Sequence, residues 1–343
     1  KYFDFLSAYS AVNQGHCHPR IINKLKEQAE KLTLTSRAFY NAELGVYEKF
    51  MSELFGFDKI LPMNTGAEAV ETALKIARKW GYEKKGIPAG EAILVVCKDN
   101  FHGRTTTIIS FSNDEDARKN FNPYTSGFEA VEYNDVNALK QLFEEKAGKI
   151  CGFLVEPIQG EAGVNVPSEG YLKACEELCK QHNVLFIADE IQTGIARTGK
   201  MLAIDHENIN ADVLILGKAV SGGVYPVSAV LANDEVMNVI KPGQHGSTYG
   251  GNPLAAAVAM EALQVVLDEK LADNSERLGQ IFRAEITRMT EEFPLFKSVR
   301  GKGLLNAILI NDTPESETAW NFCVKMMENG LLAKPTHGNI IRF

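Results

Sequence analysis

The fold of this chain is indicated by two short apolar runs, Val184–Leu185–Phe186–Ile187–Ala188–Asp189 and Val213–Leu214–Ile215–Leu216–Gly217–Lys218. Each run has the length and the bulky side chains of a buried strand, and each leads into a charged residue. Helical patterns alternate with runs of this kind, which predicts an α/β fold with a mostly parallel, doubly wound sheet. Such sheets bind ligands at the carboxyl ends of their strands, so we expect Asp189 and Lys218 to lie at the ligand site.

The other elements follow the same alternation. Further strands are predicted at 60–63, 93–97 and 150–156, and helices at about 67–80 and 171–181. Beyond the glycine-rich residues 246–251, two long helical patterns precede a shorter α+β series. We therefore expect an N-terminal segment at 1–11, a large domain at 12–267 and a smaller α+β C-terminal domain at 268–343. Both ends of the sequence are strand-like, so we expect the two terminal parts to be incomplete and any targeting peptide to lie outside the chain.

Composition favours a small-molecule partner. The 343 residues are 45% hydrophobic and 23% charged, with a net charge of −8 and no block rich in lysine or arginine. This argues against nucleic acid or an anionic membrane as partner, and no apolar run is long enough for a membrane span. Six scattered cysteines are typical of an intracellular protein, so we expect the cytoplasm or the mitochondrial matrix.

Two other kinds of site are considered and rejected. His16–Cys17–His18 and the Cys175/Cys179 pair contain metal-binding side chains, but no second pair completes a zinc set, so we expect no metal. The stretch Gly194–Lys200 resembles a nucleotide-binding P-loop, but Met201 stands where a magnesium-binding serine or threonine belongs. We therefore reject the interpretation of the chain as an ATPase.

Lys218 and Asp189 together predict a cofactor. Small residues and glycines around Lys218 leave room for a flat ring, to which the amine can bond as a Schiff base. A carboxylate at a nearby strand end can pair with a pyridinium nitrogen and keep it protonated, because an opposite charge shifts a pKa by about 1–3 units. A pyridoxal phosphate enzyme needs this pair of side chains.

Three further motifs have a functional interpretation and a plainer one. Asn64–Ala69 joins a strand to a helix. Its functional interpretation is a phosphate site, and the plainer one is an ordinary helix start capped by Thr65. In Phe101–Arg104 the phenylalanine is suited to stack on a ring and the arginine to bind a carboxylate. The plainer interpretation is a core phenylalanine and a surface arginine. Glu156 and Glu161 follow another strand and place two acids at the site, or belong to a solvated loop.

Taken together, these motifs resemble the class III, fold-type I pyridoxal phosphate aminotransferases over nearly the whole chain. The matching stretches include FLSAYSAVNQGHCHP from Phe5, MNTGAEAVETALKIARKWGY from Met63, NFHGR from Asn100, VEPIQGEAGV from Val155, LFIADEIQTGIARTG from Leu185, LGKAVSGGVYPVSAVL from Leu216, HGSTYGGNPLA from His245, VRGKGLLNA from Val299 and GLLAKPTHGNIIRF from Gly330. The resemblance implies a large domain with a doubly wound sheet and a smaller α+β domain.

The resemblance also implies roles around the cofactor. Lys218 would carry pyridoxal phosphate and move the proton, and Asp189 would pair with its ring nitrogen. Gln192 would hydrogen-bond the ring hydroxyl, while Phe101 and Ile191 would cover the two ring faces. The phosphate would be bound by Gly66 and Ala67, and by Thr248 of a second subunit, which implies a homodimer with a shared active site. His102 and Ser247 complete the expected cofactor-binding residues, and Glu156 is expected to support them from behind.

Substrate binding is implied at four residues. Arg342 matches the arginine that binds the α-carboxylate of glutamate or 2-oxoglutarate, and Arg104 the one that holds the distal carboxylate. Glu161 would mask Arg342 when ornithine binds, so that the δ-amine reaches the cofactor, and Tyr9 would line the pocket. The implied reaction is transfer of the δ-amino group of L-ornithine to 2-oxoglutarate. The alternatives are a donor such as N-acetylornithine or 4-aminobutyrate, or a catalytically silent binding protein on the same fold.

Overall fold

Thirteen strands form three sheets in the computed structural model, which describes residues 1–343. In chain order the strands are β1 Phe3–Asp4, β2 Lys59–Met63, β3 Ile93–Cys97, β4 Phe128–Val131, β5 Ile150–Val155, β6 Leu185–Asp189, β7 Val213–Leu216, β8 Ser228–Ala232, β9 Phe296–Lys302, β10 Leu305–Ile310, β11 Leu331–Leu332, β12 Lys334–Thr336 and β13 Ile340–Arg342. The largest sheet has seven strands in the order β2-β8-β7-β6-β5-β3-β4. Within it only β8 runs opposite to the other six strands, so the predicted mostly parallel α/β sheet is confirmed.

Eight helices of 11 residues or more surround the sheets. They are α1 Pro19–Ala29, α2 Ala42–Phe55, α3 Gly66–Trp80, α4 Val136–Lys146, α5 Tyr171–Gln181, α6 Pro253–Asp268, α7 Leu271–Glu292 and α8 Thr318–Glu328. Shorter helical turns lie at Gly81–Lys85, Ile108–Phe111, Glu115–Arg118, Ala147–Lys149, Ala203–His206, Lys218–Ser221 and Asp234–Met237. None of the helices combines the length and the apolar character that crossing a membrane requires.

Alternate residues of the central strands point to opposite faces of the large sheet. Phe186 belongs to the apolar cluster that contains Leu172 of α5 and Leu263 of α6. Ile187 belongs to the opposite cluster, which contains Leu74 of α3. Because Asp189 is two residues beyond Ile187, it continues on the face covered by α3, and the two covered faces make the sheet doubly wound.

A second sheet is built from β12-β13-β10-β9, with antiparallel pairing throughout. One face packs on α7 and α8, and the cluster there contains Ile308, Cys323 and Ile341. The other face packs on the loop after β5, where Leu305 meets Ile158. The strands β1 and β11 form a separate parallel pair that joins the two ends of the described chain. The domain boundaries at 11/12 and 267/268 stay predictions.

Candidate active site

A cavity of about 200 Å³ lies at the carboxyl ends of the central strands. Lys218 is the second residue after β7, and Asp189 is the last residue of β6. The lining residues are Gly66, Ala67, Phe101, His102, Gly103, Glu156, Asp189, Ile191, Gln192, Thr193 and Lys218. The cavity therefore collects nine of the residues expected at the cofactor or in its support, drawn from five separate segments of the chain.

Lys218 is held by a backbone conformation that is rare for a residue with a side chain. Its φ is 45°, and it opens a short helical turn, Lys218–Ser221, that follows the extended Gly217. Burial lowers the pKa of the Lys218 amine below its ordinary value, although Asp189 and Glu161 attract the charged form. A lowered pKa raises the neutral fraction of the amine, which is the nucleophilic and basic form.

Asp189 is buried and fixed from two sides. One carboxylate oxygen accepts a hydrogen bond from the backbone N–H of Ile191 at 3.1 Å, and the other pairs with Nδ1 of His102 at 2.6 Å. Burial disfavours the charged imidazole, but the contact with Asp189 raises the pKa of His102 above its ordinary value. Asp189 is thus a preorganised carboxylate on the cavity wall, suited to a cationic ring nitrogen.

The first turn of α3 forms the opposite end of the cavity. Thr65 caps the helix by accepting from the N–H of Glu68 at 3.2 Å, and the Glu68 carboxylate accepts in return from the N–H of Thr65 at 3.0 Å. The first N–H that bonds within the helix is that of Ala69, which donates to the Thr65 carbonyl at 3.1 Å, so the N–H groups of Gly66 and Ala67 remain available to an anion. A Cβ on Gly66 would lie 3.0 Å from Ile191, so a side chain at residue 66 would narrow this end.

Phe101 forms a wall that Glu156 supports from behind. The backbone N–H of Phe101 donates to Glu156 at 3.0 Å, and the N–H of Gly160 donates to the other Glu156 oxygen at 3.3 Å. Burial raises the pKa of Glu156 to about 7. The first bond connects the loop after β3 to the loop after β5, and the second holds the Glu156 carboxylate that accepts it.

These groups fit pyridoxal phosphate. An amine, a carboxylate and free helix-terminal amides line one cavity, and they match the aldehyde, the ring nitrogen and the phosphate of that cofactor. Phe101 and Ile191 add the apolar surface that a planar ring requires.

Glu161 and Arg342 form an ion pair at the edge of this cavity. Arg342 Nη1 lies 2.8 Å from Glu161 Oε1, and the guanidinium also donates to the side-chain carbonyl of Gln192. Gln192 in turn donates to Glu161 at 3.2 Å, which closes a triangle of three side chains. Burial alone would raise the pKa of Glu161, but Arg342 lowers it below its ordinary value, so the carboxylate is charged.

Gly160 makes this triangle possible. A Cβ on Gly160 would overlap with the side-chain amide of Gln192. The absence of a side chain at 160 lets Gln192 lie against the backbone and reach both Glu161 and Arg342.

Tyr9 and Arg104 lie on the outer side of the triangle. The Tyr9 ring centroid is 5.7 Å from the Arg342 guanidinium carbon, within the range of a cation–π contact. Arg104 lies 5.9 Å from the Phe101 ring centroid and lines a wider outer cavity together with Glu161. All four residues predicted to bind substrate are therefore linked by contacts to Phe101 or Gln192, which line the Lys218 cavity.

Ser247 and Thr248 lie outside the Lys218 cavity of the same chain. Ser247 accepts a hydrogen bond from the Asn64 side chain at 2.8 Å, next to the first turn of α3. Thr248 is exposed and lines a surface groove together with Phe39 and Tyr40, two aromatic residues that are also largely exposed.

Two contacts of the site were not predicted from the sequence. Gln192 was expected to bind the cofactor only, whereas its side chain here links Glu161 to Arg342. His102 was predicted without a partner, although it bonds Asp189. Position within the NFHGR stretch, which follows a strand end as Asp189 does, was the signal available for the second contact. No local signal relates residue 192 to residue 342.

Comparison with known proteins agrees with this arrangement. The sequence profile of the family "Aminotransferase class-III" matches residues 1–343. A mitochondrial ornithine aminotransferase of Drosophila melanogaster is 59% identical over 343 residues, which cover 100% of this chain and 78% of the relative. An ornithine aminotransferase of Toxoplasma gondii, whose crystal structure shows partial occupancy of pyridoxal phosphate at the active site, has a TM-score of 0.96 and 53% identity, covering 100% of this chain and 80% of that one.

A third similar structure bears a different name. The crystal structure of an acetylornithine aminotransferase from Elizabethkingia anophelis has a TM-score of 0.92 and 67% identity, covering 100% of this chain and 84% of that one. The two names differ in the amino donor. The profile match and the cavity bear on the family and its cofactor, which the two enzymes have in common. On these grounds the chain belongs to the class-III aminotransferases, a family of enzymes that use pyridoxal phosphate.

Proposed function

We propose that this chain transfers the δ-amino group of L-ornithine to 2-oxoglutarate, which gives glutamate 5-semialdehyde and L-glutamate. The observation that carries the proposal is the Glu161–Arg342 ion pair, together with the names of the relatives at 53–59% identity. Ornithine has two amines and one carboxylate, so an enzyme must prevent the carboxylate from binding where it would bring the α-amine to Lys218. A masked Arg342 does so.

Lys218 and Asp189 act on the reacting part of the substrate. When bound, pyridoxal phosphate supplies a ring that accepts the electron pair left on the substrate carbon. Asp189 stabilises positive charge at the ring nitrogen, and its hydrogen bonds to His102 and Ile191 keep it in position. The Lys218 amine removes the proton from the substrate carbon that carries the nitrogen. It can act as a base because burial lowers its pKa, so that a larger fraction of it is neutral than in a surface lysine.

The remaining cofactor residues bind and orient. The amides of Gly66 and Ala67 hold the phosphate at the positive end of α3. Phe101 and Ile191 enclose the ring and exclude water from it. Gln192 supports both the ring hydroxyl and the Glu161–Arg342 pair.

Arg342 alternates between two partners in this proposal. With ornithine bound, Glu161 occupies the guanidinium, and the δ-amine enters toward Lys218. With 2-oxoglutarate bound, the α-carboxylate displaces Glu161 from Arg342, and Arg104 holds the distal carboxylate. One pocket then serves both substrates in turn.

N-Acetylornithine is a second candidate donor. It is favoured by the name of the Elizabethkingia structure, which has 67% identity to this chain. Its α-amine is blocked, so only one amine can react and masking of Arg342 is less important for selecting the amine.

The amino-donor profile tests the proposal. With 2-oxoglutarate as acceptor, kcat/KM is measured for L-ornithine, N-acetyl-L-ornithine and 4-aminobutyrate by the L-glutamate formed. We expect ornithine to have the highest value, and Lys218→Ala to remove turnover with every donor. A higher kcat/KM for N-acetyl-L-ornithine or 4-aminobutyrate would overturn the assignment to ornithine.

We further propose that the enzyme is a homodimer in which Thr248 of each subunit reaches the phosphate of the other. Thr248 is exposed and lies beside Phe39 and Tyr40, and such apolar surface is typical of protein interfaces. The compartment proposed is the cytoplasm or the mitochondrial matrix, where the six free cysteines would stay reduced.

A further inference from the structure

Lys334 is a cation at the substrate entrance that has no carboxylate partner. It lines the outer cavity together with Arg104, Glu161 and Phe101. None of the ion pairs of the chain includes Lys334 or Arg104, whereas Arg342 is paired with Glu161. The two unpaired cations of the entrance are therefore Lys334 and Arg104.

The sheet places Lys334 next to Arg342. In the β12–β13 pair Lys334 is directly opposite Arg342, so the two side chains leave the same face of the sheet. Like charges directly opposite each other destabilise a sheet. Such a pair needs a compensating role or a compensating contact.

Tyr9 supplies the contact. Its ring centroid is 5.8 Å from the Lys334 amine and 5.7 Å from the Arg342 guanidinium carbon, and its hydroxyl lies 3.5 Å from the amine. The turn that carries Tyr9 is itself unusual, because residues 7–10 all have positive φ values between 46° and 71°. For residues with a Cβ this conformation is unfavourable. The chain thus fixes one aromatic ring between two cations at the entrance.

We propose that Lys334 binds the carboxylate end of the amino donor and so is a further specificity-determining residue. This inference rests on the proposed function. While Glu161 masks Arg342, the carboxylate of ornithine needs another cation, and Lys334 and Arg104 are the two available in the outer cavity. Tyr9 holds the Lys334 amine near the entrance, and the four-carbon side chain of Lys334 lets the amine reach the carboxylate without a change in the backbone.

The test compares a donor that has the carboxylate with one that lacks it. L-Ornithine and 1,4-diaminobutane present the same terminal amine, but only ornithine has a carboxylate. In Lys334→Gln we expect KM for ornithine to rise on the order of tenfold with little change in kcat, as loss of one charge-assisted hydrogen bond predicts. The affinity for 1,4-diaminobutane, measured by competition against ornithine, should not change. Lys334→Arg should keep most of the ornithine affinity.

Lys297→Gln is the matched control, because Lys297 is an exposed lysine of the same sheet, in β9, without an ion pair or a place in the outer cavity. An unchanged KM for ornithine in Lys334→Gln would overturn the proposal. Equal weakening of ornithine and diaminobutane would do so too, since it would mean that Lys334 only supports Tyr9. If the wild type prefers N-acetylornithine, the assignment of the donor fails, and the same comparison with N-acetyl-1,4-diaminobutane still tests Lys334.

Discussion

Glu161 is the residue on which, in the proposed function, the choice between donors depends. Its carboxylate neutralises a buried guanidinium, and removing one member of a buried pair leaves the other charge free to bind an anion. In Glu161→Ala, Arg342 should therefore accept the α-carboxylate of L-glutamate more readily.

We expect the ratio of kcat/KM for L-glutamate to that for L-ornithine to rise by at least about tenfold, the factor that about 1.4 kcal/mol produces. The measurement is kcat/KM of the half-reaction with L-glutamate and of that with L-ornithine, under the same conditions. Glu169→Ala is a suitable control, since Glu169 is exposed and lines a different cavity. An unchanged ratio would contradict the masking role of Glu161.

Glu190 makes the stability of the fold depend on pH. It is fully buried beside Asp189, accepts from the N–H of Ile204 at 2.8 Å and is hydrogen-bonded by Thr193. Burial raises the pKa of Glu190 from 4.5 to about 7. A carboxyl group whose pKa rises on folding binds its proton more tightly in the folded state. The folded state therefore loses stability as the pH rises from 4.5 to about 7.

Glu190→Gln should remove this loss, because the amide has no charge to bury. We expect the variant to gain stability relative to the wild type between about pH 5 and about pH 8, by up to about 3 kcal/mol at about 1.4 kcal/mol per pKa unit. Thermal unfolding at the two pH values measures it. A constant difference between the proteins would show that Glu190 keeps an ordinary pKa.

At the scale of elements, the first turn of α3 combines a helix cap with the proposed phosphate site. Thr65→Ala should cost about 1 kcal/mol of stability, as loss of a cap does, and should weaken pyridoxal phosphate binding several-fold because the turn frays. Asp135→Ala is the matched control, since Asp135 caps α4 by accepting from the N–H of Ala138 at 3.0 Å, away from the cavity. The control should lose similar stability with unchanged cofactor affinity, and equal affinities in both variants would refute the role of the turn.

Elements were predictable where the pattern was long or strongly apolar. The helix predicted at about 171–181 and the strand at 93–97 agree with α5 and β3. Two strands of the large sheet were not predicted from the sequence: β8, because Ser228–Ala232 is short and rich in small residues, and β4, which is a four-residue edge strand. The N-terminal strand-like run forms only the two-residue β1, because its partner is the equally short β11.

Site residues were predictable where the signal lies in the neighbouring sequence, and were missed where it depends on a contact with a distant residue. Asp189 and Lys218 each end an apolar run, so their meeting follows from the topology of a parallel sheet. The contact of Gln192 with Arg342 joins residues 150 positions apart, one in the turn after β6 and the other in β13, and no periodicity encodes it. Lys334 was also missed, since its position opposite Arg342 depends on the register of two three-residue strands.

At the scale of the whole molecule, the exposed aromatic residues beside Thr248 bear on assembly. Tyr40 is fully exposed and Phe39 is 71% exposed in the single chain. If this surface joins two subunits, Tyr40→Glu should shift the protein from dimer to monomer in sedimentation and weaken pyridoxal phosphate binding, because Thr248 of the partner is lost. Trp320→Glu is the control, as Trp320 is 57% exposed on α8. A Tyr40→Glu protein that stays dimeric would count against this interface.

The overlap that any side chain at residue 160 would have with Gln192 has a consequence for mutational tolerance. Gly160 has no side chain with which to bind a substrate, yet even alanine there would displace the amide that joins Glu161 to Arg342. In a library of variants selected for the correct donor, position 160 should therefore accept no replacement, although selection for cofactor binding alone would leave it more permissive.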